Sequence, residues 1–167
     1  MMLAGIGICQ FQPNFSRLQL KHTALRTLCV ENGIDSSTVL FCKQEYLLAS
    51  IKNQYSQVNL YNDSGFLIEP KTKDGFIEMS QLEFVFENLN QFKPQHCDSS
   101  NSLELEQENW IVGNGFSFQN SFVIVCYWST RKFLQEQFFR MQELQKLKKH
   151  FSHISIRLVF INQDYIP

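Results

Sequence analysis

Two apolar segments that flank one amphipathic helix constrain the fold of this chain more than any other feature. The segments SFVIVCYW at 121–128 and HISIRLVFINQD from residue 153 onward are rich in β-branched and aromatic residues, which is typical of strands. Strand, long helix, strand forms a βαβ unit, in which the two strands are expected to be parallel. Ser129 or Thr130 is expected to cap the helix. Its core-facing stripe comprises Phe133 or Leu134, Phe138, Met141, Leu144, Leu147 and Phe151.

The first part of the chain alternates helices and strands. An amphipathic helix is predicted over 16–31, and Gly33 supplies the left-handed residue that commonly ends a helix. The run TVLFC at 38–42 predicts a buried strand, and apolar residues at helical spacing predict a helix over 45–57. The segment VNLYNDSGFLIEP predicts a β-hairpin, because its Asn-Asp-Ser-Gly centre tolerates turn geometry.

A further helix, a polar segment and a short strand come next. Ser80 and Glu83 fit a capping box, which predicts a helix that starts at Ser80. Residues 93–109 are polar and almost free of aromatic residues, so a surface loop is expected there. The alternating Glu104, Glu106 and Glu108 are typical of a solvated strand edge. WIV at 110–112 predicts a strand.

Length and composition set the fold class. The chain has 167 residues, of which 44% are hydrophobic, and 16 phenylalanines supply large side chains for a core. A chain of this size usually forms one domain. The sequence therefore predicts a single domain over 1–167, of the α/β or α+β class. Its mixed sheet is expected to have about five to seven strands with three or four helices and a C-terminal βαβ unit.

The cysteines and the N-terminus favour a cytoplasmic protein. The cysteines are odd in number, widely spaced and mostly set in apolar segments, which is typical of free thiols in a reducing compartment. The segment MMLAGIGICQFQ is too short to span a bilayer and lacks a basic region, so no membrane attachment is expected. The five cysteines are Cys9, Cys29, Cys42, Cys97 and Cys126.

Charge is unevenly placed along the chain. The net charge of −1 argues against a generally nucleic-acid-binding protein. Residues 57–110 carry −7 and residues 111–167 carry +4. The long helix could offer its cations to nucleic acid or an acidic partner, or they could be an ordinary solvated face that complements the helix dipole. These cations are Arg131, Lys132, Arg140, Lys146, Lys148 and Lys149.

No catalytic set or metal site is predicted. His150 and His153 lack further ligands at suitable spacing, and the adjacent His96 and Cys97 lack an orienting third group. No cofactor motif is present, since Gly113-Asn114-Gly115 lacks the rest of a phosphate-binding loop. Amphipathic rings at element borders either line a ligand pocket or form the core edge. They are Tyr46, Tyr55, Trp110, Tyr127 and Trp128.

The order of several segments resembles a sensory domain of bacterial signalling proteins, the DICT domain, named for its association with diguanylate cyclases and two-component systems. The helix KHTALRTLCVE, the strand and glutamine of TVLFCKQEY and the tyrosine of IKNQYSQ follow that pattern, as do ENWIV, SFVIVCYW and the closing IRLVFINQDYI. The resemblance implies a non-catalytic input module that passes a signal to a partner. It places Gln44, Tyr55 and Trp110 near the characteristic segments.

Three functional hypotheses follow. The first is a non-catalytic cytoplasmic sensory, regulatory or protein-binding module that acts through a protein partner. The second is a nucleic-acid-associated factor that uses the basic helix over 129–150, and the third is a small enzyme whose site is assembled from residues distant in sequence. The first hypothesis is favoured, and under it Gln44, Tyr46, Tyr55 and Trp110 are candidate ligand-binding residues.

Overall fold

The computed structural model of the chain describes residues 15–43, 58–68, 78–89, 102–111, 118–131 and 133–164. For residues 15–20 it describes the backbone alone. Within these ranges there are four α-helices, six strands and a short 3-10 helix at Ser36–Thr38. The helices are α1 (Phe15–Glu31), α2 (Met79–Glu87), α3 (Leu103–Gln107) and α4 (Leu134–His150). The strands are β1 (Val39–Cys42), β2 (Val58–Tyr61), β3 (Leu67–Ile68), β4 (Trp110–Ile111), β5 (Phe122–Trp128) and β6 (Ile156–Asn162).

One mixed sheet joins the six strands in the order β3-β2-β5-β6-β1-β4. The central strands β5, β6 and β1 are parallel, whereas β2, β3 and β4 pair antiparallel. At the carboxyl ends, Trp128 of β5 pairs with Asn162 of β6, and Asn162 pairs in turn with Phe41 of β1. The predicted mixed sheet and the C-terminal βαβ unit are confirmed, and the mixture of strand directions makes the fold α+β.

The sheet is buried on both faces, which explains why its central strands are mostly apolar rather than alternating; the exceptions in β6 are the exposed Arg157 and the terminal Asn162. The first face packs against α1, α2 and α4 and contains residues such as Val39, Phe41 and Phe160. The second face contains Tyr127 and Val159 among others and is covered by Leu103, Trp110 and Phe118. This second core was not expected from the sequence, since its cover comes partly from the segment predicted to be a loop.

The core-facing stripe of α4 matches its prediction. Leu134 is partly buried, whereas Phe133 is 69% exposed, so Leu134 is the member of the pair that faces the core. Helix α4 therefore lies on the first face of the sheet between the two strands that it connects. Its remaining predicted stripe residues are all buried, namely Phe138, Met141, Leu144, Leu147 and Phe151.

The end of α1 and the β2–β3 hairpin also agree with the sequence. Gly33 has a φ of 73°, the left-handed conformation that ends α1, and Cys29 is fully buried in the first-face core. In the hairpin Gly65 has a φ of 81°. The Asn62 side-chain oxygen accepts hydrogen bonds from the backbone N–H groups of Ser64 at 3.0 Å and Phe66 at 2.9 Å, which fixes the turn.

The predicted surface loop over 93–109 is wrong for its last part, because residues 103–107 form helix α3. The Ser102 hydroxyl caps this helix by accepting a hydrogen bond from the Leu105 backbone N–H at 3.4 Å. Leu103 is only 2% exposed and anchors the helix on the second face. The predicted strand edge through Glu104, Glu106 and Glu108 is wrong for the same reason.

The starts of α2 and α4 differ from their predictions. Helix α2 begins at Met79, and the Gln81 side-chain oxygen accepts a hydrogen bond from the Glu78 backbone N–H at 2.9 Å, so the capping residue is Glu78 rather than Ser80. Helix α4 is preceded by Phe133 with a φ of 46°, and neither Ser129 nor Thr130 caps it. The Ser129 hydroxyl instead donates a hydrogen bond to Asp164.

Several predictions lie outside the described residues. These concern the helix over 45–57, the glycines at 113–115, the pair His96 and Cys97, and the N-terminal segment MMLAGIGICQFQ. Of the predicted free cysteines, Cys29, Cys42 and Cys126 are described, and all three are free and buried. Among the described helices, none is long and apolar enough to cross a membrane.

Candidate functional site

Polar side chains gather at the carboxyl ends of β5 and β6, where open sheets with parallel strands usually place their ligand sites. Ser129 and Asn162 are 0% and 2% exposed, and Asp164 is 8% exposed. The Ser129 hydroxyl donates a hydrogen bond to Asp164, and the Asn162 side-chain amide donates a second at 3.0 Å. The Thr130 backbone N–H also contacts both Asp164 oxygens, at 3.1 and 3.0 Å. We call Ser129, Asn162 and Asp164 the carboxyl-end cluster.

Gln137 of α4 completes this arrangement from the helix side. Its side-chain oxygen accepts a hydrogen bond from the Ser129 backbone N–H at 2.8 Å, and its side-chain nitrogen donates to the Ser129 carbonyl at 3.0 Å. The two bonds hold Ser129, the first residue after β5, against the first turn of α4. They also account for a glutamine that is only 5% exposed within an apolar stripe. The polar groups of the cluster are thus engaged with each other, which is typical of a structural clamp.

A second polar cluster, centred on the half-buried Glu106, lies on the other face of the sheet. One Glu106 oxygen accepts hydrogen bonds from the Tyr127 hydroxyl and from the Asn59 side-chain amide, the latter at 3.4 Å. Asn59 lies on β2 and Tyr127 on β5, so Glu106 ties α3 to two neighbouring strands. We call Asn59, Glu106 and Tyr127 the Glu106 cluster.

Burial changes the acidity of this cluster. Desolvation raises the pKa of the Glu106 carboxyl above its ordinary value, although the hydrogen bonds from Tyr127 and Asn59 partly oppose the shift. Desolvation and then the charge of Glu106 raise the pKa of Tyr127. A carboxyl and a phenol with raised pKa values are groups that proton-transfer sites often use. However, neither side chain lines the two cavities described beside α3.

Replacement of Glu106 by Gln tests this shift. A carboxyl whose pKa is raised in the folded state holds its proton there after the unfolded chain has released it, so it contributes stability at low pH that is lost as pH rises. We expect the stability of the wild type relative to the Glu106→Gln variant to fall as the pH rises above about 4.5, the ordinary pKa of a glutamate, with up to about one proton linked to unfolding. Urea unfolding at a series of pH values measures this difference.

Glu104 supplies the matched control for that experiment. It lies on the same helix but is exposed, so the Glu104→Gln variant should follow the pH dependence of the wild type. A wild-type stability that stays constant or rises relative to the Glu106→Gln variant over this range would contradict the assignment.

Of the predicted ligand-binding residues, Trp110 is described, whereas Gln44, Tyr46 and Tyr55 lie outside the described residues. Trp110 is 2% exposed and packs edge-on against Phe118, with ring centroids 6.1 Å apart. It borders an open cavity of about 570 Å³ beside Lys43 and α3. Its indole N–H lies near the Tyr127 hydroxyl and slightly opposes the rise in the pKa of that phenol. The two groups are not in hydrogen-bond geometry.

The cations of α4 do not share one side of the helix. Successive residues of an α-helix are rotated by about 100°, so Arg140 and Lys146 point about 120° apart and Lys148 and Lys149 about 100° apart. All four are exposed, as is Arg131 ahead of the helix, whereas the side chain of Lys132 is not described. Such a distribution gives the phosphate backbone of a nucleic acid no continuous basic stripe to follow.

The described part of the chain contains neither a thiol with a lowered pKa nor a set of metal ligands. Burial raises the pKa values of Cys29, Cys42 and Cys126 to about 12, so these thiols stay protonated at neutral pH. His150 and His153 are exposed at the end of α4. Among the described residues, no group of three His, Cys, Asp or Glu side chains could hold a metal ion.

Comparison of the chain with models of protein families, with curated proteins and with solved structures gave no match. The resemblance to the DICT domain therefore stays a prediction.

Proposed function

We propose that this protein is a non-catalytic regulatory or protein-binding module of the cytoplasm, which acts through a protein partner. The observation that carries the proposal is an exposed aromatic side chain in a groove between α2 and α4. Phe139 is 62% exposed and lines a cavity of about 480 Å³ together with Met79 at the start of α2. We call this surface the Phe139 groove.

The composition of the groove is typical of a protein interface. Arg140, Glu136 and Glu143 border its aromatic and thioether side chains. Protein interfaces commonly have an aromatic or methionine centre, often with arginine, inside a polar rim. Further large apolar side chains are exposed nearby in the chain, with Phe84 on α2 at 51% and Phe133, just before α4, at 69%. We take these exposed aromatic side chains as surface that is available to a partner.

The buried polar groups support the same proposal. The buried Asp164 and the half-buried Glu106 accept hydrogen bonds from neighbouring protein groups. Groups that are used in this way stabilise the fold rather than act on a substrate. Surface contacts are then the means by which the protein acts.

The test is to capture the partner and measure its affinity. The tagged full chain is incubated with extract of its own host, and the retained protein is identified by mass spectrometry, purified and titrated against the chain by calorimetry. We expect the Phe139→Asp variant to lose at least about tenfold in affinity, because the charge would have to be desolvated at the centre of the interface. Circular dichroism of the variant verifies that it is folded.

Val30 provides the matched control. It is an apolar residue that is 55% exposed on α1, away from the lining of the groove. The Val30→Asp variant should bind the partner with wild-type affinity. Equal affinities for the wild type and the Phe139→Asp variant, or the absence of any reproducible partner, would overturn the proposal.

A further inference from the structure

A second cavity lies at the opposite end of α4 from the carboxyl-end cluster. It has a volume of about 620 Å³ and lies between the loop that follows α1, the last turns of α4 and the chain that enters β6. This volume is within the usual range for small-molecule sites. Because Lys148 and Lys149 stand in its lining, we call it the Lys148 cavity.

Glutamines of α4 hold the loop wall of this cavity in place. The Gln145 side chain donates a hydrogen bond to the Gly33 carbonyl at 2.9 Å and accepts one from the Asp35 backbone N–H at 3.0 Å. One helical turn earlier, the Gln142 side chain donates to the Asn32 carbonyl at 2.8 Å. The wall is therefore formed before any ligand arrives, which reduces the entropy that binding would cost.

The floor of the cavity is apolar. Ile34 and Leu158 line it and are 2% and 4% exposed, and the partly buried Ile154 lies beside them. These side chains belong to the first-face core, so the cavity is an opening onto that core. An apolar molecule or part of one can contact them without disturbing a hydrogen bond.

The rim of the cavity carries a positive excess. Lys148 and Lys149 form no ion pair with a described residue, whereas Lys146 on the same helix pairs with Glu143 at 2.7 Å. The single carboxylate in the lining, that of Asp35, accepts hydrogen bonds from the Ser37 backbone N–H at 2.9 Å and hydroxyl at 2.8 Å. The Ser37 hydrogen bonds and, as a smaller cause, the charge of Lys148 lower the pKa of Asp35. Two lysines against this one carboxylate leave the rim with one positive charge in excess for a ligand.

We propose that the Lys148 cavity binds a small anion with an apolar body, of the aryl or aliphatic carboxylate class. The carboxylate contacts Lys148 and Lys149 at the rim, and the apolar body packs on Ile34, Ile154 and Leu158. The inference goes beyond the proposed partner surface and does not depend on it. Its test uses the purified full chain alone, so a failure here leaves the Phe139 groove untouched.

The experiment compares four probes by calorimetry and by ligand-observed NMR. The probes 4-phenylbutyrate and octanoate have both the charge and the apolar body, 4-phenylbutanol lacks the charge, and inorganic phosphate lacks the apolar body. We expect at least one of the two carboxylates to bind at least about tenfold more tightly than the alcohol and the phosphate, with an affinity that weakens as salt is added.

Substitutions on α4 locate the bound anion. Lys148→Gln and Lys149→Gln are each expected to weaken carboxylate binding about fivefold, and the double variant about twentyfold. Lys146→Gln is the matched control, because it removes one exposed cation of the same helix outside the cavity lining, and it should bind like the wild type. The inference is overturned if neither carboxylate binds at millimolar concentration, if the alcohol or phosphate binds as tightly, or if the double variant retains wild-type affinity.

Discussion

Replacement of Phe138 by Ala is expected to lower the free energy of unfolding by about 3 to 5 kcal/mol. Phe138 is 2% exposed and lies in the first-face core, where its ring centroid is 6.0 Å from that of Trp128. Removal of the ring loses its transfer free energy and leaves a cavity beside Trp128, since the neighbouring β5 backbone is held on both sides by paired strands.

Urea unfolding followed by tryptophan fluorescence measures the effect, because Trp110 and Trp128 are both buried. The slope of the transition should stay that of the wild type, which would show that the variant unfolds from a comparably compact state. Phe139 is the matched control, since it is the next residue of the same helix and 62% exposed. Phe139→Ala should change the stability by less than about 0.5 kcal/mol. A cost below about 1 kcal/mol for Phe138→Ala would mean that the core-facing side of α4 is misassigned.

The same helix shows what the sequence could predict. The apolar stripe of α4 repeats over four turns, so its buried side could be recognised from spacing alone. Strands β5 and β6 could also be predicted, because long runs of β-branched and aromatic residues on both sides of a helix are compatible with few structures other than strands. The parallel pairing of these strands followed from the length of the connection.

Helix α3 shows where spacing is insufficient. Over five residues, a helix with one buried leucine and an alternating strand edge have nearly the same pattern of charges. The burial of Glu106 depends on Tyr127 and Asn59, which are 21 and 47 positions away in the chain. The local signals for this helix were the Ser102 cap and the glutamates in the first turn, but the segment contains three serines and nothing local distinguishes the one that caps.

The carboxyl-end cluster was missed for a related reason. Ser129 precedes a helix and is a residue type that commonly caps one, which made the local interpretation attractive. Its hydroxyl instead donates to Asp164, 35 positions later, because the parallel pairing of β5 and β6 brings the two strand ends together. Contacts of this kind are created by strand register, which a single sequence does not specify.

Replacement of Asp164 by Ala is expected to lower the free energy of unfolding by about 3 to 5 kcal/mol. The change leaves the Ser129 hydroxyl, the Asn162 side-chain amide and the Thr130 backbone N–H without the acceptor that each now contacts. Ser129 and Asn162 are almost fully buried, so water cannot readily replace the carboxylate. The variant therefore loses the hydrogen bonds that join the carboxyl ends of β5 and β6 in the βαβ unit.

A double-mutant cycle separates this contact from the rest of the change. Ser129→Ala alone should cost about 1 to 2 kcal/mol, because Asp164 keeps its other two donors. The double variant should cost less than the sum of the single changes by about 1 kcal/mol, since the hydrogen bond between the two side chains is lost only once. If the free-energy costs of the two single changes simply add, Asp164 stabilises the fold through its contacts with Thr130 and Asn162 rather than through the Ser129 hydroxyl. A cost for Asp164→Ala below about 1 kcal/mol would show that the cluster is open to water, and that the carboxyl ends of β5 and β6 are free to receive a ligand rather than held by a structural clamp.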